Sequence, residues 1–327
     1  VKSWFASIPS WFLFLHPKVL RRQVVIVERY GGLGDVICLL PALPSLRQKH
    51  PHHRLIFLTS TPLAPLVRQS LLADAVLSGS TRGLSWLRSR AQTIQPLLPD
   101  EHSPAQPRER LHLIEEFARS LKVSGSALEH PRITPPESAT RKIETWIKHS
   151  KLSDTAFAVI HTGPTWPVKQ WPSEKWTALC AYLRTEHALE VIQLGLDGHH
   201  YDPTAPSPRV EMTHNGIGEF SILETLALIS KARLFIGIDS GLLHLAAVAS
   251  TPLVGLFGPT FADCFLPQSP TAHAVQPELP CIGCHHHSSG PLHWRTNCPH
   301  EILCMQTLDT PTVIKACTQA LNSHRTQ

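Results

Sequence analysis

The chain has 327 residues, 42% of them apolar and 17% charged, with a net charge of +5. That length suits about two domains, each large enough to bury a core, and the composition excludes disorder as the main state. No stretch approaches the roughly 20 apolar residues of a membrane-spanning helix, and eight cysteines in so long a chain do not read as a disulfide mini-scaffold.

The charge is unevenly spread. Residues 1–150 carry 20 Lys and Arg against 11 Asp and Glu, whereas residues 151–327 carry 10 against 14. The basic half is expected to meet something anionic, such as nucleic acid, an acidic membrane surface or a phosphorylated substrate. Residues 1–22 place Trp4, Phe5 and Trp11 to Leu15 ahead of Lys18, Arg21 and Arg22. A signal peptide would put its charge first and end in small residues. The segment reads instead as an amphipathic arm, packed on the domain or lying at a membrane interface.

From Val24 onward strands alternate with helices. Val24 to Val27 is a β-branched run suited to a parallel strand buried on both faces. A glycine turn, a helix from about Asp35 to His50 and a strand over Leu55 to Thr59 follow. Residues 78–110 are rich in Ser, Pro, Arg and Gln and show no clear strand. A helix is predicted over Leu111 to Lys122, and Pro131, Pro135 and Pro136 mark a linker. A second alternating unit has strands at Phe157–His161, Glu190–Leu194, Leu234–Ile238 and Leu253–Phe257. Its helices are predicted at Ser173–His187, with a serine cap, and at Ser221–Ser230 and Leu242–Ala249. Two doubly wound α/β domains facing a cleft are the expected architecture. The boundaries read as an arm over 1–22, a first domain over 23–140 and a second over 141–327.

Three segments carry chemistry. In Arg29-Tyr30-Gly31-Gly32-Leu33-Gly34-Asp35 the glycines let backbone N–H groups approach a ligand at a helix start. The spacing is neither a dinucleotide fingerprint nor a P-loop. By position alone, Asp35 is a residue that favours the helix dipole. In Asp239-Ser240-Gly241-Leu242-Leu243-His244 the strand-to-helix turn suits a diphosphate, with His244 one turn further on. His161-Thr162-Gly163-Pro164-Thr165 again follows a strand, eight residues ahead of Lys169-Gln170-Trp171-Pro172. Taken alone, Lys169 reads as a surface lysine and His244 as a core histidine.

Together these segments resemble glycosyltransferase family 9, the ADP-heptose:lipopolysaccharide heptosyltransferases. The likeness rests on Leu33-Gly34-Asp35-Val36 through Pro41-Ala42-Leu43 and on Lys169-Gln170-Trp171-Pro172. It rests most on Asp239-Ser240-Gly241-Leu242-Leu243-His244-Leu245-Ala246-Ala247 followed by Pro252 to Thr260. The resemblance implies a GT-B fold, two Rossmann-like domains facing a cleft, here with a shortened first domain. It implies an inverting transfer with no metal in catalysis. Asp35 would be the general base and Lys169 would offset charge on the departing diphosphate. Gly34, Gly163, Thr165, Asp239, Ser240, Gly241 and His244 would bind the donor. That donor is expected to be a nucleotide sugar, ADP-heptose by family. The acceptor would be a lipopolysaccharide core or a protein, and nucleic acid is not an expected partner. Such an enzyme would be cytoplasmic, with peripheral contact at an anionic inner membrane. A GT-B protein that binds nucleotide or metal without transfer is the alternative from another class.

Cys281, Cys284, Cys298 and Cys304 have spacings compatible with a structural zinc or iron site. Many family members carry a similar element ending in Cys-Met, here Cys304-Met305, and in an autotransporter-heptosylating branch the comparable cysteines bind iron. Empty thiols are the competing expectation. Cys38, Cys180, Cys264 and Cys317 read as ordinary core or surface residues.

Overall fold

The computed structural model describes residues 24–79, 91–94, 110–123, 130–163, 166–196, 208–287 and 298–323. The arm over 1–22, Thr165 and most of 78–110 lie outside these residues.

The first sheet is built from β1 (Val24–Glu28), β2 (Arg54–Thr59), β3 (Ala75–Ser78) and β4 (Ala91–Ile94), in the order β3-β2-β1-β4. All of its pairings are parallel, with Ile26 opposite Ile56 and Thr93. β1 is central and buried along its whole length, which is why it reads as an unbroken run of Val and Ile. Each such side chain contributes roughly 1.5–3 kcal/mol when fully buried. β4 corrects the sequence expectation, because the 78–110 region does supply a strand. Its Ala-Gln-Thr-Ile sequence carries no continuous apolar run, and its place beside β1 comes from backbone pairing.

The helix expected over Asp35 to His50 is broken into three pieces. α1 (Leu33–Leu39) runs into a 3-10 turn (Leu40–Ala42) and then α2 (Leu43–Lys49). Pro41 and Pro44 each sit at the start of a new piece, where the N–H they lack has no intrahelical partner to lose. After β2 come α3 (Ala64–Ser70) and later α4 (Leu113–Ser120), whose buried Leu113, Ile114, Phe117 and Ala118 form one face.

α5 (Glu137–His149) leads to the second sheet. Its strands are β5 (Phe157–His161), β6 (Glu190–Leu194), β7 (His214–Asn215), β8 (Leu234–Ile238), β9 (Leu253–Leu256) and β10 (Ala272–Val275). They lie in the order β10-β9-β8-β5-β6-β7, again all parallel. The covering helices are α6 (Ser173–His187), α7 (Ile222–Lys231), α8 (Gly241–Val248) and α12 (Thr310–Ser323). Short helices α9 (Ala262–Phe265), α10 (Cys284–His287) and α11 (Leu303–Thr307) lie between α8 and α12. Ser221 caps α7 through a reciprocal pair with Glu224. Ser173 does not cap α6. Pro172 holds that cap position, and no side chain makes the bond.

One apolar cluster joins the two sheets, and two further clusters lie apart from it. The joining cluster runs from Val25, Val27 and Ile37 through Leu113 and Phe117 to Leu226, Leu243 and Val248. Polar contacts stitch the same seam. His112 Nε2 donates to the Leu266 carbonyl at 2.8 Å, and the Ile133 N–H donates to the Val248 carbonyl at 2.9 Å. Among the described residues no helix is long and apolar enough to cross a membrane.

Candidate functional site

The carboxyl ends of β1 and β8 bring two glycine turns face to face. α1 starts after Gly32 and α8 starts after Ser240. A Cβ placed on Gly241 would lie 2.6 Å from Leu33 Cβ and 2.9 Å from Gly34 N. One placed on Gly34 would lie 3.1 Å from His244 Cδ2. Glycine at both positions is therefore what lets the two helix starts touch, and with them two positive dipole ends.

Asp35 stands in the first turn of α1 with its side chain 25% exposed. Its Oδ2 accepts from Arg29 Nη2 at 2.7 Å and from the Gly32 N–H at 3.2 Å. Arg29 is buried with its guanidinium 5.5 Å from the centre of the Phe117 ring. A Cβ on Gly31 would fall 2.3 Å from that same carboxylate oxygen, so the motif's first glycine leaves room for the ion pair. The carboxylate is thus fixed in orientation yet open on one side.

Across the seam, Asp239 is buried at the end of β8. Lys169 Nζ donates to its Oδ2 at 2.6 Å and the Thr260 hydroxyl donates to the same oxygen at 2.7 Å. Burial alone would raise the Asp239 carboxyl, but the Lys169 ammonium and the Thr260 hydroxyl outweigh it and hold it below the usual range. Lys169 is therefore no surface lysine. It ends the 3-10 turn Pro167–Lys169, its ammonium lies 4.2 Å from the Trp166 ring centre, and it is buried. Trp171 anchors that turn by donating from Nε1 to the Leu308 carbonyl at 2.8 Å, packed edge-on against Trp176.

Ser240, the residue before α8, makes no capping bond, and its Oγ is buried with no hydrogen-bond partner among the described residues. A hydroxyl in that state beside the free N–H groups of a helix start is suited to an anionic ligand. Gly163 turns the chain after β5 at φ +129°, a conformation side-chain-bearing residues avoid. His161, two residues earlier, is structural: it donates from Nδ1 to the Leu194 carbonyl at 3.0 Å. Burial pushes its pKa down to about 4 against the opposing pull of that bond.

His244 is buried and neutral in character. Burial lowers its pKa to about 4 despite the Asp239 charge. Cys38, expected to be ordinary, is fully buried one turn after Asp35, with its Sγ 3.3 Å from His244 Nδ1. The structure brings Gly34, Asp239, Ser240, Gly241 and His244 together, with Asp35 and Lys169 around them. Thr260, Arg29 and Trp166 complete the arrangement and were given no role from the sequence. Thr260 alone had a signal, as the last residue of the Phe-Gly-Pro-Thr stretch.

The cysteine element sits beside Lys169. His285, next to Cys284, packs its ring 4.9 Å from that of Trp166. Burial pushes the Cys284 thiol up, helped by charge on Cys298 and Cys281. Cys304 is pushed up to about 11 by burial, with the Met305 N–H opposing and Cys284, Cys298 and Cys281 adding. The four thiols feel one another's charge, but the ligand atoms that converge among the described residues are those of Cys38, His130 and His244.

With this geometry in hand, the comparisons decide the family. The model of glycosyltransferase family 9 (heptosyltransferase) matches residues 72–294. The chain belongs to that family. It is 29% identical over 114 residues to lipooligosaccharide heptosyltransferase 2 of Haemophilus influenzae, a match covering 34% of this chain and 33% of that relative. The chain therefore spans about a third of the curated relative it matches. The fold is that of the E. coli ADP-heptose LPS heptosyltransferase II structure, with a TM-score of 0.66 at 15% identity over 93% of this chain and 100% of that one. The iron-containing dodecameric glycosyltransferase TibC of enterotoxigenic E. coli H10407 gives 0.70 at 20% identity, over 94% and 80%. The GT-B expectation is thereby borne out.

Proposed function

We propose that the chain transfers a heptose from ADP-heptose to a hydroxyl of a lipopolysaccharide core, inverting the anomeric centre without a metal in the chemical step. The observation that carries this reading is Asp35, oriented by Arg29 and partly open, directly across the seam from the unpartnered Ser240 hydroxyl at the start of α8. The diphosphate would lie at the Ser240–Gly241 turn, where helix N–H groups and the serine Oγ meet its oxygens. Asp35 would take the acceptor's proton as that hydroxyl attacks the anomeric carbon opposite the leaving group. Lys169 gives two of its three N–H groups to Asp239, and the third would meet the departing phosphate. Gly163 would close the donor site from the β5 side.

TibC has been solved with ADP-D-β-D-heptose, which makes that donor the first to test. A protein acceptor is the second reading, favoured by Cys281, Cys284, Cys298 and Cys304, whose spacing resembles the autotransporter-heptosylating branch. In either case the cysteines would hold zinc or iron structurally, and the enzyme would work on the cytoplasmic side of the inner membrane. The basic residues of 1–150 would then meet anionic headgroups.

Isothermal titration with a panel of nucleotide sugars tests the reading, followed by measurement of ADP release with the best binder. ADP-heptose should bind most tightly and release ADP faster when a heptose-acceptor core is added than when a carrier protein is. Binding of no nucleotide sugar would remove the proposal, and faster release with the protein would move it to the second reading.

A further inference from the structure

We propose that Cys38, His130 and His244 form a zinc(II) site that clasps the two halves of the chain together behind Asp35. This site is separate from the Cys281–Cys304 element and does not rest on the assignment of donor or acceptor. Each residue comes from a different part of the chain: Cys38 from α1, His130 from the segment leading to α5, His244 from α8. One ligand atom from each lies within 4.8 Å of the others, a grouping of His, Cys, Asp or Glu found among the described residues.

The spacing suits the metal. Around a tetrahedral zinc with Zn–S of about 2.3 Å and Zn–N of about 2.0 Å, sulfur and nitrogen ligands sit roughly 3.5 Å apart. Cys38 Sγ lies 3.3 Å from His244 Nδ1 and 3.9 Å from its Nε2. The His130 and His244 rings approach to 5.7 Å between centroids, inclined at 60°. Both ring nitrogens of His130 are buried and find no hydrogen-bond partner among the described residues. Buried imidazole nitrogens without partners are costly unless something else satisfies them, and a metal ion does so.

The electrostatics agree. Burial keeps His130 and His244 neutral, with pKa values pushed down to about 3 and 4, so lone pairs are available. The Cys38 thiol is raised by burial first and then by the charges of Asp35 and Asp239. Those carboxylates disfavour a bare thiolate but attract a divalent cation. Binding would release the thiol proton to solvent as the Zn–S bond forms. Two imidazoles and one thiolate are a borderline-soft set that selects zinc over magnesium or calcium. Three protein ligands leave a fourth position for water.

The test is zinc content and thermal stability of the full chain, loaded with zinc and dialysed free of excess. Cys38→Ala and His130→Gln should each hold one zinc fewer per chain than the parent, whatever the Cys281–Cys304 element holds. Zinc should raise the parent's Tm more than that of either variant. Cobalt(II) gives a second readout, since a thiolate-to-cobalt absorption component should vanish in Cys38→Ala and shift in His130→Gln. His130→Gln preserves a polar side chain, and it decides the matter if Cys38→Ala fails to fold. Equal zinc in the parent and in folded His130→Gln would overturn the site and leave a plain S–H···N hydrogen bond between Cys38 and His244.

Discussion

Lys169 Nζ lies 2.6 Å from Asp239 Oδ2, with both side chains almost fully buried. The pair couples the 3-10 turn after β5 to the end of β8, and Thr260 completes it from the loop after β9. Removing one partner strands the other's charge. Lys169→Ala should therefore cost about 3–5 kcal/mol of stability, the usual consequence of breaking a buried ion pair. Adding Asp239→Asn to Lys169→Met should recover much of the loss, because no unpaired charge then remains. Urea unfolding of the three variants checks this, and a Lys169→Ala change within about 0.5 kcal/mol would return the residue to the surface class.

The meeting of the two helix starts makes a graded prediction from glycine alone. Gly241→Ala would press its methyl to 2.6 Å from Leu33 Cβ, so α1 and α8 must part. Overpacking of this kind costs about 1–3 kcal/mol, and turnover should fall with it as Asp35 moves from the Ser240 turn. Gly34→Ala should be milder, since the atom it meets first is on the His244 ring at 3.1 Å. Gly32→Ala meets nothing within 4 Å and should cost only the difference between glycine and alanine at a helix N-cap, about 0.5–1 kcal/mol. Thermal unfolding and turnover of the three variants should rank in that order.

What the sequence revealed follows from how local each signal is. β1 and β5 were legible because continuous apolar runs mark strands covered on both faces. The glycine turns were legible because they sit between such strands and helices. β4 was not, since its place depends on pairing with residues far back in the chain. The helix after β1 was placed correctly, but Pro41 and Pro44 were read as part of it rather than as its breaks. Cys38 and His244 are 206 positions apart, and nothing in either neighbourhood announces their contact. Lys169 looked exposed because its partner, Asp239, lies 70 positions away.

His161 sets an acid limit on stability. Its folded pKa is near 4, below the unfolded value of 6.5, because burial disfavours the charged ring. The unfolded chain therefore binds more protons at this residue between those values. Its stabilising contribution is complete above about pH 6.5 and is lost as pH falls toward 4. The loss from this residue should be on the order of 3 kcal/mol. Urea midpoints at pH 7 and pH 4.5 should differ less in His161→Gln than in the parent. Equal differences would mean the imidazole is already charged or exposed in the folded chain.

Asp35 offers the most direct reading of chemistry. Its Oδ2 is held by Arg29 and the Gly32 N–H, and the side chain is one-quarter exposed. Asp35→Asn preserves the shape and both contact positions while removing the basic oxygen. The fold and donor binding should survive, because in the proposed arrangement the residue meets the acceptor hydroxyl and the donor is held by residues across the seam. Turnover should fall by about 10²–10⁴, the worth of a positioned general base. Asp35→Ala should fall as far and also lose stability, because it removes the carboxylate that the buried Arg29 binds through Nη2. Donor titration beside initial rates separates the two effects. Rates near the parent's in Asp35→Asn, with donor affinity intact, would leave Asp35 as the partner of Arg29 at a helix start and send the search for the base elsewhere along the same seam.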